Sequence, residues 1–457
     1  MNFFYLDKNI ENAGLKKFSG QQKFSELTVQ KLSLSSSIQK SLSKEFFFRP
    51  IESIHHISDT KQDIVVWNSN IFFKEWSLQE LFIKKLQKSY FGLFYGSQQS
   101  YIFKGTIEEL RQIINSGESF DGSQRIIKLL AEENIVTINT TWNIKEIALH
   151  RPHTRHFNKL VLEHEFIKKE STNKEKIIGE FTFLDNIPKE IQQHYVEVYD
   201  LKVGEKKAKY SMKKINGLDL SMQHINQGFS ENSMQDILGE LRAYFQLIAR
   251  FEGPKKVDAY DFIVSKNNKR LQKLQSWKGF DGLNTFIRDH TSFLGISNLF
   301  ELSNELLKDN KAALNSTKPL ISHGDLCFAN IIMDEDEQKL TFIDPRGGPI
   351  NKNYRTPYYD LAKLCHSLLG GYDHIINNVC EVQFDDSMNA SIFFKPNQIN
   401  FTNIFQLFVE ALGYQYQLVR VIEVSLFLSM LPLHIDSTKK ITMLALRASE
   451  LILELEA

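Results

Sequence analysis

Apolar positions follow two rhythms along the chain. In the first third, short β-branched or aromatic runs over 63–67, 90–95 and 135–138 read as strands. Between them, apolar residues at helical spacing over 78–86, 106–114 and 123–130 read as helices, with Ser77 placed to cap the first. Strands alternating with helices predict a small α/β layer fold with a mostly parallel sheet over 1–150. Residues 1 to about 60 are rich in Ser, Lys and Gln, and within them Ser33 to Ser43 reads as a polar, weakly ordered or helical segment.

The rhythm changes near Phe157. Runs over 159–162 and 165–169 read as a hairpin. Next comes a helix through Ile177, Glu180 and Leu184 that Ser171 could cap, and then a second hairpin over 196–200 and 209–217. From Met234 the period is helical: Ile237, Leu238, Leu241, Phe245 and Ile248 form one stripe, and further stripes cover 268–274, 283–289 and 298–307. Residues 401–456 read as two or three packed helices. This predicts an α+β unit of two lobes, a small β-rich one at 157–217 and a helical one at 218–457.

Composition narrows the classes. A chain of 457 residues exceeds one ordinary core and implies two or three domains. With 55 basic against 55 acidic residues, no chain-wide field favours nucleic acid or an anionic membrane as partner. No apolar run approaches the ~20 residues of a membrane span, and the start lacks the order of a signal peptide. Cys327, Cys365 and Cys380 have no metal-type spacing and fit a reduced, cytoplasmic protein without disulfides. His150, His153 and His156 have Pro152 among them and no Cys or acidic partner close by, so a solvated linker is expected rather than zinc.

The candidate chemistry lies in Ile321-Ser-His-Gly-Asp-Leu-Cys-Phe-Ala-Asn330 and, after an apolar run, Ile343-Asp-Pro-Arg-Gly347. Phosphoryl transfer needs a carboxylate beside the attacking hydroxyl and oxygen ligands that hold magnesium against the phosphates. The Asp-x4-Asn interval and the later Ile-Asp are spaced as in a protein-kinase catalytic loop and its metal-binding Asp. Asp325 is the candidate base or hydroxyl-orienting group, and Asn330 and Asp344 are the candidate Mg2+ ligands. Arg346 could meet phosphate or an acidic substrate with a forked hydrogen bond, or pin the loop. Cys365 and His366 are adjacent on a helix and so face different ways.

From about Phe157 onward the chain resembles the aminoglycoside phosphotransferase and choline kinase family, on His323-Gly-Asp325, Asn330 and Ile343-Asp344. More narrowly it is similar to bacterial capsule and surface-polysaccharide proteins in which a nucleotidyltransferase-like domain precedes such a kinase-like domain. The narrower match lies in Arg155-His-Phe-Asn158, Tyr359-Asp-Leu-Ala-Lys363 and Phe427-Leu-Ser-Met-Leu-Pro-Leu-His-Ile-Asp436. The resemblance implies a protein-kinase-like fold, ATP as nucleotide and a small-molecule acceptor. It further implies a strand lysine on the phosphates held by a helix glutamate. Lys169 and Glu180 fill those roles best, with Lys168 as the alternative. It places the adenine against backbone near Met212 to Ile215, where Lys213 departs from the family's usual acidic residue. It also gives Asp360 a supporting role, as a helix N-cap or as a brace for the catalytic loop.

The first domain then resembles a divergent nucleotidyltransferase, with Trp142 near a family Trp-Asp-x-Gly-like segment. It lacks the Gly-rich nucleotide loop, and the metal-binding Asp would fall among Asn68 to Asn70. The resemblance implies a cytoplasmic kinase of capsule biosynthesis. A pseudokinase scaffold and a nucleotidyltransferase are the alternatives.

Overall fold

The computed structural model describes residues 158–456 apart from 164, 227, 254–257, 349–352 and 395–399. Before these it describes 2–7, 23–24, 28–29, 32–33, 38–39, 42, 47–51, 53–57, 64–68, 71–73, 79, 82–83, 92–97, 100–116, 135–138 and 143–144. The chain divides into two compact units, Met1–His156 and Phe157–Ala457. The segment 123–130, Trp142 and the three histidines from His150 to His156 lie outside the described residues.

In the first unit a five-stranded sheet has Asn2–Leu6 between Phe47–Ile51 and Ile64–Asn68, parallel to both. Ser100–Gly105 then adds antiparallel to Ile64–Asn68, and Gly92–Ser97 antiparallel to Ser100–Gly105. The sheet is therefore mixed rather than mostly parallel, because a hairpin supplies its last two strands. Two of its strands, Asn2–Leu6 and Phe47–Ile51, lie in the Ser-, Lys- and Gln-rich first 60 residues, where no strand is expected from the sequence. Asn2-Phe-Phe-Tyr-Leu6 carries four apolar residues in a row that the surrounding Ser and Lys masked. All of Ile64–Asn68 is buried, which accounts for its unbroken apolar run. Phe4, Leu6, Ile64, Val66 and Phe103 share a core with Ile107 and Leu110 of the helix Ile107–Ser116. Asn68 is fully buried at the strand end. The helix expected over 78–86 is described only at Gln79, Phe82 and Ile83, which are helical.

In the second unit the small lobe is a four-stranded antiparallel sheet. Its order is Asn158–Leu162, Phe166–Ser171, Ala208–Lys213, Val198–Val203. The helix Lys174–Asn186 lies against it, capped by Asn173, whose side chain accepts from Lys176 N at 3.1 Å. Ser171 is instead the last strand residue, its hydroxyl accepting from Asn173 N.

The large lobe is helical, with short hairpins inserted. Helix Tyr416–Met430 runs through its centre, every residue from Leu418 to Met430 buried. Helices Pro357–Leu368, Ala259–Gln275, Ile296–Asp309 and Thr438–Glu456 pack around it. The stretch Tyr416–Leu433 is apolar and long enough to pass for a membrane span, contrary to the sequence expectation, but 83% of it is covered by the rest of the unit. That is the signature of a core helix. Cys365 Sγ meets Glu423 in this core at 3.1 Å, while His366 stacks on Tyr372 on another side of the helix. All three cysteines are buried and free.

Burial has an electrostatic cost in the large lobe. Desolvation lifts the carboxyl of Asp373 to about 6, although Ser221 and Ser367 hydrogen-bond to it. An unfolded Asp titrates near 3.9. Between those values the folded state keeps a proton that the unfolded chain releases, so stability falls as pH rises through this window. Asp373→Asn is therefore expected to match the wild type near pH 4 and to exceed its stability near pH 7.5 by roughly 2–3 kcal/mol. Urea unfolding at the two pH values checks this; an equal difference at both contradicts it.

Candidate active site

The loop from Ile321 to Asn330 is shaped by hydrogen bonds that its own residue types make possible. Gly324 has φ +76, and a Cβ there would lie 2.8 Å from Arg346 Cβ, so both the backbone angle and the space call for glycine. Gly324 N then donates to Asp360 Oδ1 at 2.8 Å, and Ser322 Oγ donates to Asp360 Oδ2 at 2.7 Å. Asp360 thus braces the loop from inside the helix Pro357–Leu368, in its first turn and not at its N-cap. His323 is fully buried and held neutral by that burial. Its Nε2 donates to Ile343 O at 2.9 Å and its Nδ1 accepts from Asp325 N at 3.2 Å, which fixes the tautomer. The imidazole ties together the two segments that carry Asp325 and Asp344.

Asn330 closes a short 3-10 turn, Phe328–Asn330. Its Nδ2 donates to Asp325 O at 2.8 Å, which leaves Oδ1 as the acceptor end of the amide, and Ile343 N donates to Asn330 O. Asn330 and the segment that leads to Asp344 therefore lie side by side. Asp344 adopts φ 58, a left-handed conformation that Asp tolerates better than most residues. Its carboxylate is 32% exposed.

Strand period puts Lys169, and not Lys168, on the buried face. Along Phe166–Ser171 the residues Ile167, Lys169 and Ser171 are buried, whereas Lys168 is 40% exposed and pairs with Glu163. Lys169 Nζ donates to Glu180 Oε2 at 2.8 Å and to Asp344 Oδ1 at 2.6 Å. Burial works against its ammonium, yet Asp344 and Glu180 outweigh that and hold it well above its ordinary value. Burial likewise pushes the Asp344 carboxyl up, and Lys169 pulls it below the usual range. Glu180 also accepts from Tyr210 Oη at 3.3 Å.

Backbone contact at two glycines lets the helix bearing Glu180 approach the Asp344 loop. A Cβ on Gly347 would lie 2.0 Å from Gly179 O. Gly347→Ala must therefore push Lys174–Asn186 away from Asp344 and loosen the three-way ion contact. The strain of overpacking is about 1–3 kcal/mol, so nucleotide affinity is expected to fall roughly tenfold or more. Titration of a fluorescent ATP analogue checks this; unchanged affinity contradicts it.

Asp325 is held on both sides. Lys363 Nζ meets Oδ1 at 2.9 Å, and Arg346 meets Oδ2 through Nη2 at 2.8 Å and Nε at 3.1 Å. Burial alone would raise this carboxyl; Lys363 and Arg346 reverse that and hold it far below the usual range. Such a carboxylate stays ionised at any working pH and suits orienting a hydroxyl better than pulling its proton early.

Met212 is the next-to-last residue of the strand Ala208–Lys213, and Ile215 lies two residues beyond the end of that strand; both are buried. In the same stretch Lys213 N and Lys214 N already donate to Glu197 O and Glu165 O. The Lys213 side chain points outward to Glu337 at 3.2 Å.

Sequence reasoning took Tyr359 and Lys363 only as part of a resemblance and placed neither of them, nor Lys266, beside Asp325. Lys266 Nζ donates to Tyr359 Oη at 2.6 Å. One signal was available: Tyr359, Lys363 and His366 recur at the +4 and +3 spacing of one helix face, and Asp360 already directs that helix toward the loop.

Asp344 and the Oδ1 of Asn330 offer one carboxylate and one amide oxygen. Among the described residues no group of three or more His, Cys, Asp or Glu could hold a metal. The pair fits a magnesium ion that takes most of its ligands from phosphates and water, and not an all-protein cage.

No family model and no curated protein matches the chain. Solved structures resemble it over about two thirds of its length. A thermostable mutant of aminoglycoside phosphotransferase APH(4)-Ia, in a ternary complex with ADP and hygromycin B, is 12% identical with TM-score 0.41 over 66% of this chain and 95% of its own. An ethanolamine kinase from Plasmodium vivax is 12% identical with TM-score 0.35, over 65% of this chain and 80% of its own. A choline kinase from Cryptosporidium parvum Iowa II is 11% identical with TM-score 0.33, over 67% and 87%.

Proposed function

We propose that the second unit is a phosphotransferase that moves the γ-phosphate of ATP to a hydroxyl, or an amide, of a small molecule. The observation that carries this reading is Lys169 joined at once to Glu180 and Asp344, beside a loop that presents Asp325 and Asn330. A cation between two carboxylates, one of them a third exposed, is poised to meet phosphate oxygens.

In this account Lys169 holds the nucleotide phosphates and Glu180 holds Lys169. Asp344 and Asn330 would hold magnesium, which when bound neutralises charge on the phosphates. Backbone between Met212 and Ile215 would take the base. Asp325 accepts a hydrogen bond from the acceptor hydroxyl and aims its oxygen at the γ-phosphorus. The new P–O bond forms as the bond to the β-phosphate bridging oxygen breaks and ADP leaves. The hydroxyl proton leaves late, once its oxygen has become acidic, so a weakly basic carboxylate suffices.

The resemblance in the flanking segments supports a finer reading, in which the acceptor is a capsule or surface-polysaccharide precursor and the protein works in the cytoplasm. A nucleotidyltransferase ancestry for the first unit belongs to the same reading. The test is ADP release from MgATP across a panel of sugars, sugar phosphates and amino alcohols. Release stimulated by at least one acceptor, with phosphate recovered on that acceptor, is expected. Nucleotide binding without transfer to any of them would point to a scaffold.

A further inference from the structure

Positive charge exceeds negative charge on the acceptor side of Asp325. Arg346 and Lys363 already bracket that carboxylate. A third cation, Lys266 of the helix Ala259–Gln275, reaches the same place. Its ammonium is bonded to Tyr359 Oη and, among the described residues, makes no ion pair with a carboxylate. Asp360 and Asp373 also lie nearby, but they bond to Ser322 and Gly324 and to Ser221 and Ser367, and neither pairs with Lys266. Asp325 is thus already bracketed by two cations, and Lys266 has no carboxylate of its own.

A lysine drawn out of water without a counter-charge is unfavourable and uncommon. Burial holds the Lys266 ammonium below its ordinary value, with Tyr359 acting in the opposite direction. Nearby on the Tyr359 and Lys363 face, His366 is fully buried with neither ring nitrogen hydrogen-bonded. Burial keeps it neutral, so it is a polar group lacking a partner rather than a fourth charge. A site for an amine would place carboxylates here, since complementary charge is how a pocket selects its ligand. This one places ammonium, guanidinium and hydroxyl groups. Arg346, 48% exposed, meets Asp325 through Nη2 and Nε and has its third guanidinium nitrogen, Nη1, to offer an oxyanion.

We infer that the acceptor is an anion: a phosphate or carboxylate group close to the hydroxyl that is phosphorylated, held by Lys266, Arg346 and Tyr359 Oη. This rests on the phosphotransfer reading and names its substrate class. Lys363 stays on Asp325 and keeps it ionised, while Lys266 and Arg346 neutralise the acceptor's charge as it nears the γ-phosphate, where two anions would otherwise repel.

The test is thermal unfolding of the full chain loaded with magnesium and the ATP analogue AMP-PNP. It is titrated at constant ionic strength with inorganic phosphate, glucose 6-phosphate, glucuronate, glucose and glucosamine. Phosphate and at least one of the two anionic sugars should raise the midpoint, and the preferred one separates a phosphate from a carboxylate pocket. Glucose and glucosamine should not. Lys266→Met should raise the anion concentration needed by about tenfold or more, and Lys266→Arg should restore most of the response. The inference is overturned by an equal response to glucose or glucosamine, by no response to any anion, or by an anion response that survives Lys266→Met. Failure of the phosphotransfer reading registers separately, as no midpoint rise on adding AMP-PNP. The same anion titrations without nucleotide then still read Lys266.

Discussion

Asp325→Ala is expected to lower turnover roughly a thousandfold or more while leaving MgATP affinity within about threefold, because the lost carboxylate addresses the acceptor and not the nucleotide. The substitution has a structural side as well. Lys363, nearly buried, and Arg346 lose their shared counter-charge and are left facing each other. Breaking a buried ion contact from one side costs about 3–5 kcal/mol, so the variant should also unfold earlier. The two effects separate in a second variant. Asp325→Ala combined with Lys363→Met removes the stranded ammonium and should recover much of the stability while turnover stays lost. Steady-state kinetics and thermal unfolding of both variants check this. If turnover returns with stability, Asp325 is a structural counter-ion and not the group that orients the acceptor.

Lys169→Met should act on the other substrate. Lys169 bonds Glu180 and Asp344 at once, and its donors are the charge-assisted kind, each contributing about 1.5–3 kcal/mol. Nucleotide affinity should fall roughly tenfold to a hundredfold. Glu180 keeps Tyr210 and a weaker contact from Lys176 at 3.3 Å, so the helix bearing it should stay in place. Lys168→Met, on the opposite strand face, should change affinity little. Equal losses in the two lysine variants would contradict the assignment. Calorimetric titration with MgATP gives both numbers.

What could be read from the chain depended on how local the determinant is. Asp325, Asn330 and Asp344 sit in one short stretch, and their order needs no tertiary information. The choice between Lys168 and Lys169 needed only the parity of strand burial, but the sequence does not say which parity faces the core. Lys363 and Lys266 come from two helices far along the chain. Only the packing of Pro357–Leu368 and Ala259–Gln275 brings them to Asp325: helical spacing puts Tyr359, Lys363 and His366 on one face without saying what that face meets, and it says nothing of Lys266. The close approach of Gly179 and Gly347 is hidden for the same reason. In the first unit, Ser- and Lys-rich surroundings masked the strand Asn2–Leu6. Strand direction, which made the sheet mixed, is not written in hydrophobic periodicity at all.

The most direct measurement is thermal unfolding of the wild type and of Asp344→Ala with ATP, each with and without magnesium. Ligand that binds only the folded state raises the midpoint by mass action. The account predicts a magnesium-dependent rise with ATP in the wild type that disappears in Asp344→Ala. No rise with nucleotide in the wild type, or a magnesium-dependent rise that persists without Asp344, would contradict it.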